Sequence, residues 1–269
     1  MPISIDEYDV SNVVVKPPTD STVESIIAFI KYNQNGKEVQ NQIQSPPVTT
    51  MFRVEPHHTT FNGQAKVECK LVITFDGMDT DQDLATMYRV ETEFDTRMKQ
   101  EGFKNAATWF PKVKKFDENT IENMGLYKNG VYSHSAVDKA TGKKKTFPPS
   151  LSLDVKMDSA GHPLLDVYHV NQLDEGGNKI DDGKEYTYQD ILPRKKFIVI
   201  YEKNAIWQVA GSKFGTSTKA VKVILLETPE VLANETSTVN MQSISKYKRK
   251  AAASEDSSKV AKTNAAVTD

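Results

Sequence analysis

Aromatic and basic side chains are interleaved in the stretch 194–226. Three runs of strand-forming residues occur there, at 197–201, 205–209 and 221–225. A polar break separates the first two runs, and a glycine-flanked turn carrying Lys213 and Phe214 separates the last two. Rings and cations on a β-surface suit a groove that stacks bases and neutralises phosphates. The same residue types also suit a core with a solvated rim, and the sequence leaves both interpretations open.

Two further clusters repeat this pairing of rings and cations. Trp109 and Phe110 stand beside three lysines, and the run Lys143–Lys145 precedes Phe147-Pro148-Pro149. Stacking on a ring contributes about 1–3 kcal/mol per base. Three contiguous clusters of this kind would hold a single strand without reading its sequence. Any one cluster alone is explained as well by a buried tryptophan beside solvated lysines.

Other chemistry is mostly missing from the sequence. Cys69 is the only cysteine, which excludes an internal disulfide and cysteine-based zinc sites, and its strand pattern predicts a buried thiol. Asp79, Asp81 and Asp83 resemble the start of a calcium loop, but the later glycine and glutamate are missing, so we expect them to cap a helix. No histidine or carboxylate pattern indicates catalysis. We expect a protein that is not an enzyme and uses no metal or cofactor.

Composition describes a polar globular chain. Hydrophobic residues make up 38% and charged residues 26% of 269, and the net charge is -2. Residues 242–269 hold six basic and three acidic groups, so the body carries a net charge of about -5. An acidic body argues against a protein that coats duplex DNA. No apolar run approaches a membrane helix and no leader is recognised, so we expect no membrane and a cytosolic or nuclear location, not secretion.

The elements predict a mainly β fold: an elaborated OB-fold barrel, or a sandwich, with one long amphipathic helix over 79–102. Strands are expected at 25–32, 48–54, 65–75, 151–157 and 164–172, with a short helix at 117–125. The predicted units are an N-terminal arm or edge strand at 1–22, one domain at 23–232, and a flexible, disordered, basic-to-neutral tail at 233–269.

Several short motifs, in this order and spacing, resemble the single-stranded DNA-binding proteins of nucleocytoplasmic large DNA viruses, a group related to the T-seven-type phage protein. The similarity runs from about Ile26 to Leu226. The motifs are Lys31-Tyr32-Asn33 with Gly36, Ile43-Gln44-Ser45-Pro46, Ala107-Thr108-Trp109-Phe110, Phe147-Pro148-Pro149-Ser150-Leu151, Ala205-Ile206-Trp207 and Lys213-Phe214-Gly215.

The resemblance implies an embellished OB-fold, a homodimer, and sequence-independent binding of single-stranded DNA in viral replication, recombination or repair, in host cytoplasm or nucleus. Replication proteins such as a polymerase or helicase–primase are expected partners. The phage-type protein ends in an acidic tail with a terminal aromatic that recruits partners, whereas the last residues here are basic and then almost neutral.

Combining residues and resemblance, the expected DNA-binding residues are Trp109, Phe110, Lys112, Lys114, Lys115, Arg194, Lys195, Lys196, Tyr201, Trp207, Lys213 and Phe214. Two alternatives stay open. One is a non-enzymatic virion structural or assembly protein with a β-sandwich core, which suits the acidic body. The other is an RNA-binding OB protein.

Overall fold

The computed structural model covers the chain in several described ranges. These are 1–18, 20–21, 25–61, 64–110, 113, 116–117, 119–133, 135–137, 141–174, 179–180, 183–209 and 213–226. The predicted tail at 233–269 lies outside them.

The described residues form eighteen strands, most of them short. In the first part of the chain they are β1 (Ile3–Ser4), β2 (Val13–Val15), β3 (Asp20–Ser21), β4 (Ser25–Gln34), β5 (Lys37–Gln40), β6 (Gln42–Gln44), β7 (Thr49–Thr50), β8 (Pro56–Phe61) and β9 (Gln64–Thr74). The later strands are β10 (Tyr127–Lys128), β11 (Val131–Tyr132), β12 (Ser135–Val137), β13 (Lys144–Thr146), β14 (Ser150–Met157), β15 (Pro163–Leu164), β16 (Asp166–His169), β17 (Phe197–Val209) and β18 (Lys213–Leu225).

One long helix interrupts the strands. The helices are α1 (Gln82–Lys104), α2 (Ala106–Trp109) and α3 (Thr120–Asn123), with 3-10 turns at Val10–Asn12, Val170–Gln172 and Tyr188–Asp190. Asp81 caps α1, because its carboxylate accepts hydrogen bonds from the Asp83 and Leu84 backbone amides. The predicted helix is confirmed, and of the three aspartates expected to cap it, Asp81 is the N-cap and Asp83 lies in the first turn.

A long hairpin of β17 and β18 is the centre of the main sheet, whose principal strand order is β1-β6-β17-β18-β14-β9-β7. The edge of β17 that faces away from β18 pairs with β6 in the first part of the strand and with β4 in the last part, so this 13-residue strand has two neighbours on that side. The predicted polar break lies inside β17, where a register shift between Lys203 and Ala205 keeps the strand continuous. Runs expected as separate are therefore one strand.

The inner face of this sheet packs on α1 to form the core. Met87, Phe94 and Met98 of the helix are fully buried against it, and residues Ile3, Ile5 and Val13 near the N-terminus join the same cluster. The fold is mainly β with one long helix and is OB-like, as predicted. In the described part of the chain the principal strand path stays open and does not close into a ring.

Candidate nucleic-acid interface

The outward face of β4, β17 and β18 carries exposed apolar side chains. Pairing places Trp207 opposite Ile27 on one side and Gly215 on the other, and Ala205 opposite Phe29. Ile27, Phe29 and Val209 keep 39%, 46% and 47% of their surface exposed, and Trp207 is half-buried. Together with three lysines they make what we call the Trp207 face, defined as Ile27, Phe29, Lys31, Lys128, Trp207, Val209 and Lys213.

Gly215 lets the Trp207 indole lie across the backbone of β18. A Cβ atom added at Gly215 would stand 2.7 Å from the indole Cζ2, and 3.3 Å from Cβ of Lys128. A contact of 2.7 Å is shorter than real Cβ atoms show, so any side chain at this position would displace the ring. The indole is thus supported by backbone on one side and half-exposed, a geometry that suits stacking of a flat ligand.

The lysines of the Trp207 face make it locally positive. Lys31, Lys128 and Lys213 are exposed on β4, β10 and β18. On neighbouring strands, Glu202 accepts a hydrogen bond from the Gln40 amide, and Glu38 pairs with the Lys16 ammonium. Three cations around an accessible indole can neutralise phosphates next to a stacked base.

Phe214, Trp109 and Phe110 lie on the opposite face, in the core. Their exposures are 0%, 2% and 1%, and the Phe214 ring centroid is 5.7 Å from that of Trp109 and 5.6 Å from that of Phe110. Adjacent residues of a strand point to opposite faces, so Phe214 must point inward when Gly215 faces Trp207. The expectation that these three rings stack bases is corrected, because no base reaches them in the folded protein.

Tyr201 is also buried, and it belongs to a polar network of the core. Its hydroxyl donates to Glu91 Oε1 at 2.6 Å, while Lys203 Nζ donates to Glu91 Oε2 at 2.7 Å. Burial, and then the Glu91 carboxylate, raise the pKa of Tyr201 well above its usual value. The Lys203 ammonium also lies 4.2 Å from the Phe94 ring centroid. The role expected for Tyr201 as a stacking ring is corrected as well.

The predicted cations are distributed over distant parts of the fold. Arg194, Lys195 and Lys196 are exposed, but they precede β17 and stand up to about 35 Å along that strand from Trp207. Lys213 lies on the Trp207 face. The structure therefore places the basic run 194–196 far from Lys213. Lys112, Lys114 and Lys115 lie outside the described residues.

Five members of the Trp207 face were not predicted as site residues: Ile27, Phe29, Lys31, Lys128 and Val209. In β4 both alternating sets are apolar, with Ile26, Ala28 and Ile30 buried and Ile27 and Phe29 exposed. Hydrophobic periodicity therefore gives no signal for which set faces solvent. Only the pairing with Trp207 identifies the exposed set.

The one cysteine of the sequence lies in β9, inside the core. Cys69 is a buried free thiol whose pKa burial raises, as expected for a bystander. In the described part of the chain, no group of three or more histidine, cysteine, aspartate or glutamate side chains is placed to hold a metal ion. No helix among the described residues has the length and apolar character to span a bilayer.

No protein-family model matches this sequence, and no curated protein matches it. Solved structures that align with this chain include the single-stranded DNA-binding protein from bacteriophage Enc34 in complex with ssDNA. It is 10% identical, with 80% of this chain and 97% of that chain covered and a TM-score of 0.33. A C-terminal truncation of the Enc34 protein is also 10% identical, over 82% and 99%, with a TM-score of 0.30.

A second phage protein aligns with this chain over a similar length. It is gp2.5, a single-stranded DNA-binding protein encoded by bacteriophage T7, which is 16% identical over 74% of this chain and 98% of that chain, with a TM-score of 0.30. Scores near 0.3 at these identities establish neither a shared fold nor a shared function. The side chains of the Trp207 face carry the functional conclusion instead.

Proposed function

We propose that this chain binds single-stranded DNA without reading its sequence. The observation that carries the proposal is the half-buried Trp207 indole lying across Gly215, with Lys128 and Lys213 exposed on the adjoining strands and Lys31 further along β4. An indole offers its π-face to any base, and an ammonium group neutralises a phosphate whatever base is attached. The net negative charge of the body is compatible with this, because association depends on the local field over the site.

The proposal extends to the biological setting that the sequence resemblance implies. The protein acts in viral DNA replication, recombination or repair, in the host cytoplasm or nucleus. It works as a homodimer, without a catalytic step or cofactor, and its further partners are replication proteins such as a polymerase or helicase–primase.

Tryptophan fluorescence tests the proposal, because the two tryptophans occupy opposite faces. Trp207 is half-buried on the outer face and Trp109 is 2% exposed in the core. Adding an oligothymidine strand should quench the emission, and the quenching should weaken as salt rises. Trp207→Phe should remove the quenching, whereas Trp109→Phe should retain it. An unquenched wild-type protein that is not retained on single-stranded DNA at low salt would overturn the proposal.

One observation favours a second candidate, an assembly or interaction protein. Ile27, Phe29 and Val209 form an exposed apolar strip, and such strips also bind proteins. In that case the chain ignores oligothymidine and self-associates through the strip, so Phe29→Asp would yield monomers in sedimentation. Competition with oligouridine separates an RNA-binding role from the DNA-binding one, since the 2′-hydroxyl distinguishes the two strands.

A further inference from the structure

A cleft of about 320 Å³ lies near β7, β9 and β11, towards the β7 end of the principal strand order, whereas the Trp207 face lies at β4, β17 and β18. Three aromatic rings line it, those of Phe52, Tyr132 and Phe147, and Met51 and Val72 complete its apolar wall. Phe52 keeps 60% of its surface exposed, more than Phe29 or Phe103. We call this site the Phe52 cleft.

The segments that line the cleft are held by the sheet. The Thr50 hydroxyl accepts from the Phe52 amide at 3.2 Å and donates to the Phe52 carbonyl at 2.9 Å, which holds the backbone of the exposed ring. Tyr132 pairs with Ser150, and its phenol, whose pKa burial raises, hydrogen-bonds to the Ser152 side chain. The exposed ring therefore stands opposite walls that are already in place.

Four basic residues belong to the chain segments that form the cleft or are bonded to them. Arg53 follows Phe52 directly in the sequence. The backbone of Arg194 is held near this segment because the Arg194 amide donates to the Thr50 carbonyl at 2.8 Å. Lys143 and Lys144 stand four and three residues before Phe147. All four side chains are exposed, and the ion pairs found among the described residues involve none of them. Glu55 is the exposed carboxylate nearest along the chain to Phe52.

This combination specifies the chemistry of a ligand. Aromatic walls favour a flat π-system, and arginine and lysine side chains favour a phosphate. The volume lies at the lower end of the range for small-molecule sites, which suits one nucleotide unit. Arg194 and Phe147, which belong to two of the stretches singled out in the sequence, thus lie by this cleft and not on the Trp207 face.

A rigid segment connects the two sites. Lys128 of β10 pairs with Gly215, and Tyr132 of the cleft follows four residues later. Between them the Gly130 and Val131 amides donate to the buried Asp95 carboxylate at 3.0 and 3.2 Å. Two strand spacings of about 5 Å and four residues of about 3.5 Å separate Trp207 from Tyr132 by at most roughly 24 Å. A strand of several nucleotides can span that distance.

The geometry points to the Phe52 cleft as a second nucleotide subsite, which takes one base of a single strand bound on the Trp207 face and holds its phosphate with the cations at its mouth. This inference rests on the proposed single-strand binding. It gives the cluster at Arg194 a role that its distance from Trp207 otherwise denies.

Two probes distinguish the subsites in one titration with oligothymidines of increasing length. Trp207 emission reports the outer face, and the ¹³C-methyl NMR signal of Met51, assigned with Met51→Leu, reports the cleft. We expect both to respond to long strands. Phe52→Ala should weaken long-strand binding by roughly five- to hundredfold, the range for one stacked base, and abolish the Met51 shift without removing Trp207 quenching. Leu164→Ala, another exposed apolar residue at 47%, serves as the control and should bind like wild type.

The outcomes separate the two proposals. Quenching of Trp207 with an unmoved Met51 signal, or a Phe52→Ala variant that binds every length like wild type, overturns the cleft and leaves single-strand binding intact. If neither the Trp207 quenching nor the Met51 shift occurs at low salt, single-strand binding is overturned, and with it the nucleotide subsite in the Phe52 cleft.

Discussion

The two faces of the β17–β18 hairpin contain the same kinds of residues in different surroundings. On the inner face, Lys203 is 1% exposed and donates to Glu91. On the outer face, Lys213 is exposed at the start of β18. Phe214 is buried among other rings, whereas Trp207, across the hairpin, is half-exposed. The comparison teaches that a ring beside a lysine is as much a core motif as a binding motif, and that strand pairing decides between them.

The inner lysine should matter far more for stability than the outer one. Lys203→Met leaves the Glu91 carboxylate buried without its cation, which should lower the free energy of unfolding by about 3–5 kcal/mol. Lys213→Met should change it by about 0.5 kcal/mol or less. Denaturant unfolding measures both. Adding Glu91→Gln to Lys203→Met should recover part of the loss, and equal effects of the two single changes would contradict the comparison.

For the two aromatic residues, Trp207 and Phe214, we expect the outer one to matter more for DNA binding than the inner one. Trp207→Ala should weaken affinity for oligothymidine by about 1–3 kcal/mol through the lost stacking surface. Phe214→Leu should lower stability by a cavity effect and leave affinity unchanged while the protein is folded. Fluorescence anisotropy of a labelled strand measures the affinity. A Phe214→Leu variant that binds as weakly as Trp207→Ala would show that the inner face takes part in binding.

Alkaline pH should destabilise the protein through its core tyrosines. Burial is the main cause that raises the pKa values of Tyr127 and Tyr201 well above the ordinary value of 10.0, and it also raises that of Tyr8. Above about pH 10 the unfolded chain loses these protons and the folded protein keeps them, so stability falls by up to about 1.4 kcal/mol per pH unit per tyrosine.

Denaturant midpoints across this pH range test that slope. Tyr8→Phe removes one of the three groups and should make the decline shallower. Burial lowers the pKa of Lys222, which acts with the opposite sign only below about pH 10.5. Stability that stays constant from about pH 10 to 11 would contradict the burial of these hydroxyl groups.

The smallest effect should come from single lysines of the outer face. Lys128→Ala and Lys213→Ala should each reduce the slope of log affinity against log salt by about 0.7, because each removes one phosphate contact on a single strand. Lys37→Ala, at the exposed β4–β5 turn, should leave the slope as in wild type. Slopes from binding titrations at several salt concentrations give the comparison, and an unchanged slope in both face variants would remove these lysines from the site.

Much of the fold could be predicted from local patterns. The long helix was expected at 79–102 and is Gln82–Lys104, and the strand expected at 65–75 is Gln64–Thr74. Caps and period-two alternation are local signals, so nearby residues suffice to specify them. The strand expected at 48–54 shortens to Thr49–Thr50, because a threonine turn follows it directly.

The sequence by itself determined which residue types were available: a mainly β chain with one capped helix, interleaved rings and lysines, and a single buried thiol. Only the tertiary structure decided which rings face solvent. Register between β4, β17 and β18 exposes Trp207 and Phe29 and buries Phe214 and Tyr201, and Trp109 of α2 packs against Phe214 in the core. The physical reason is that side chains alternate across a strand, so a shift of register by one residue exchanges the faces, and that register depends on partners about 180 residues away in the chain.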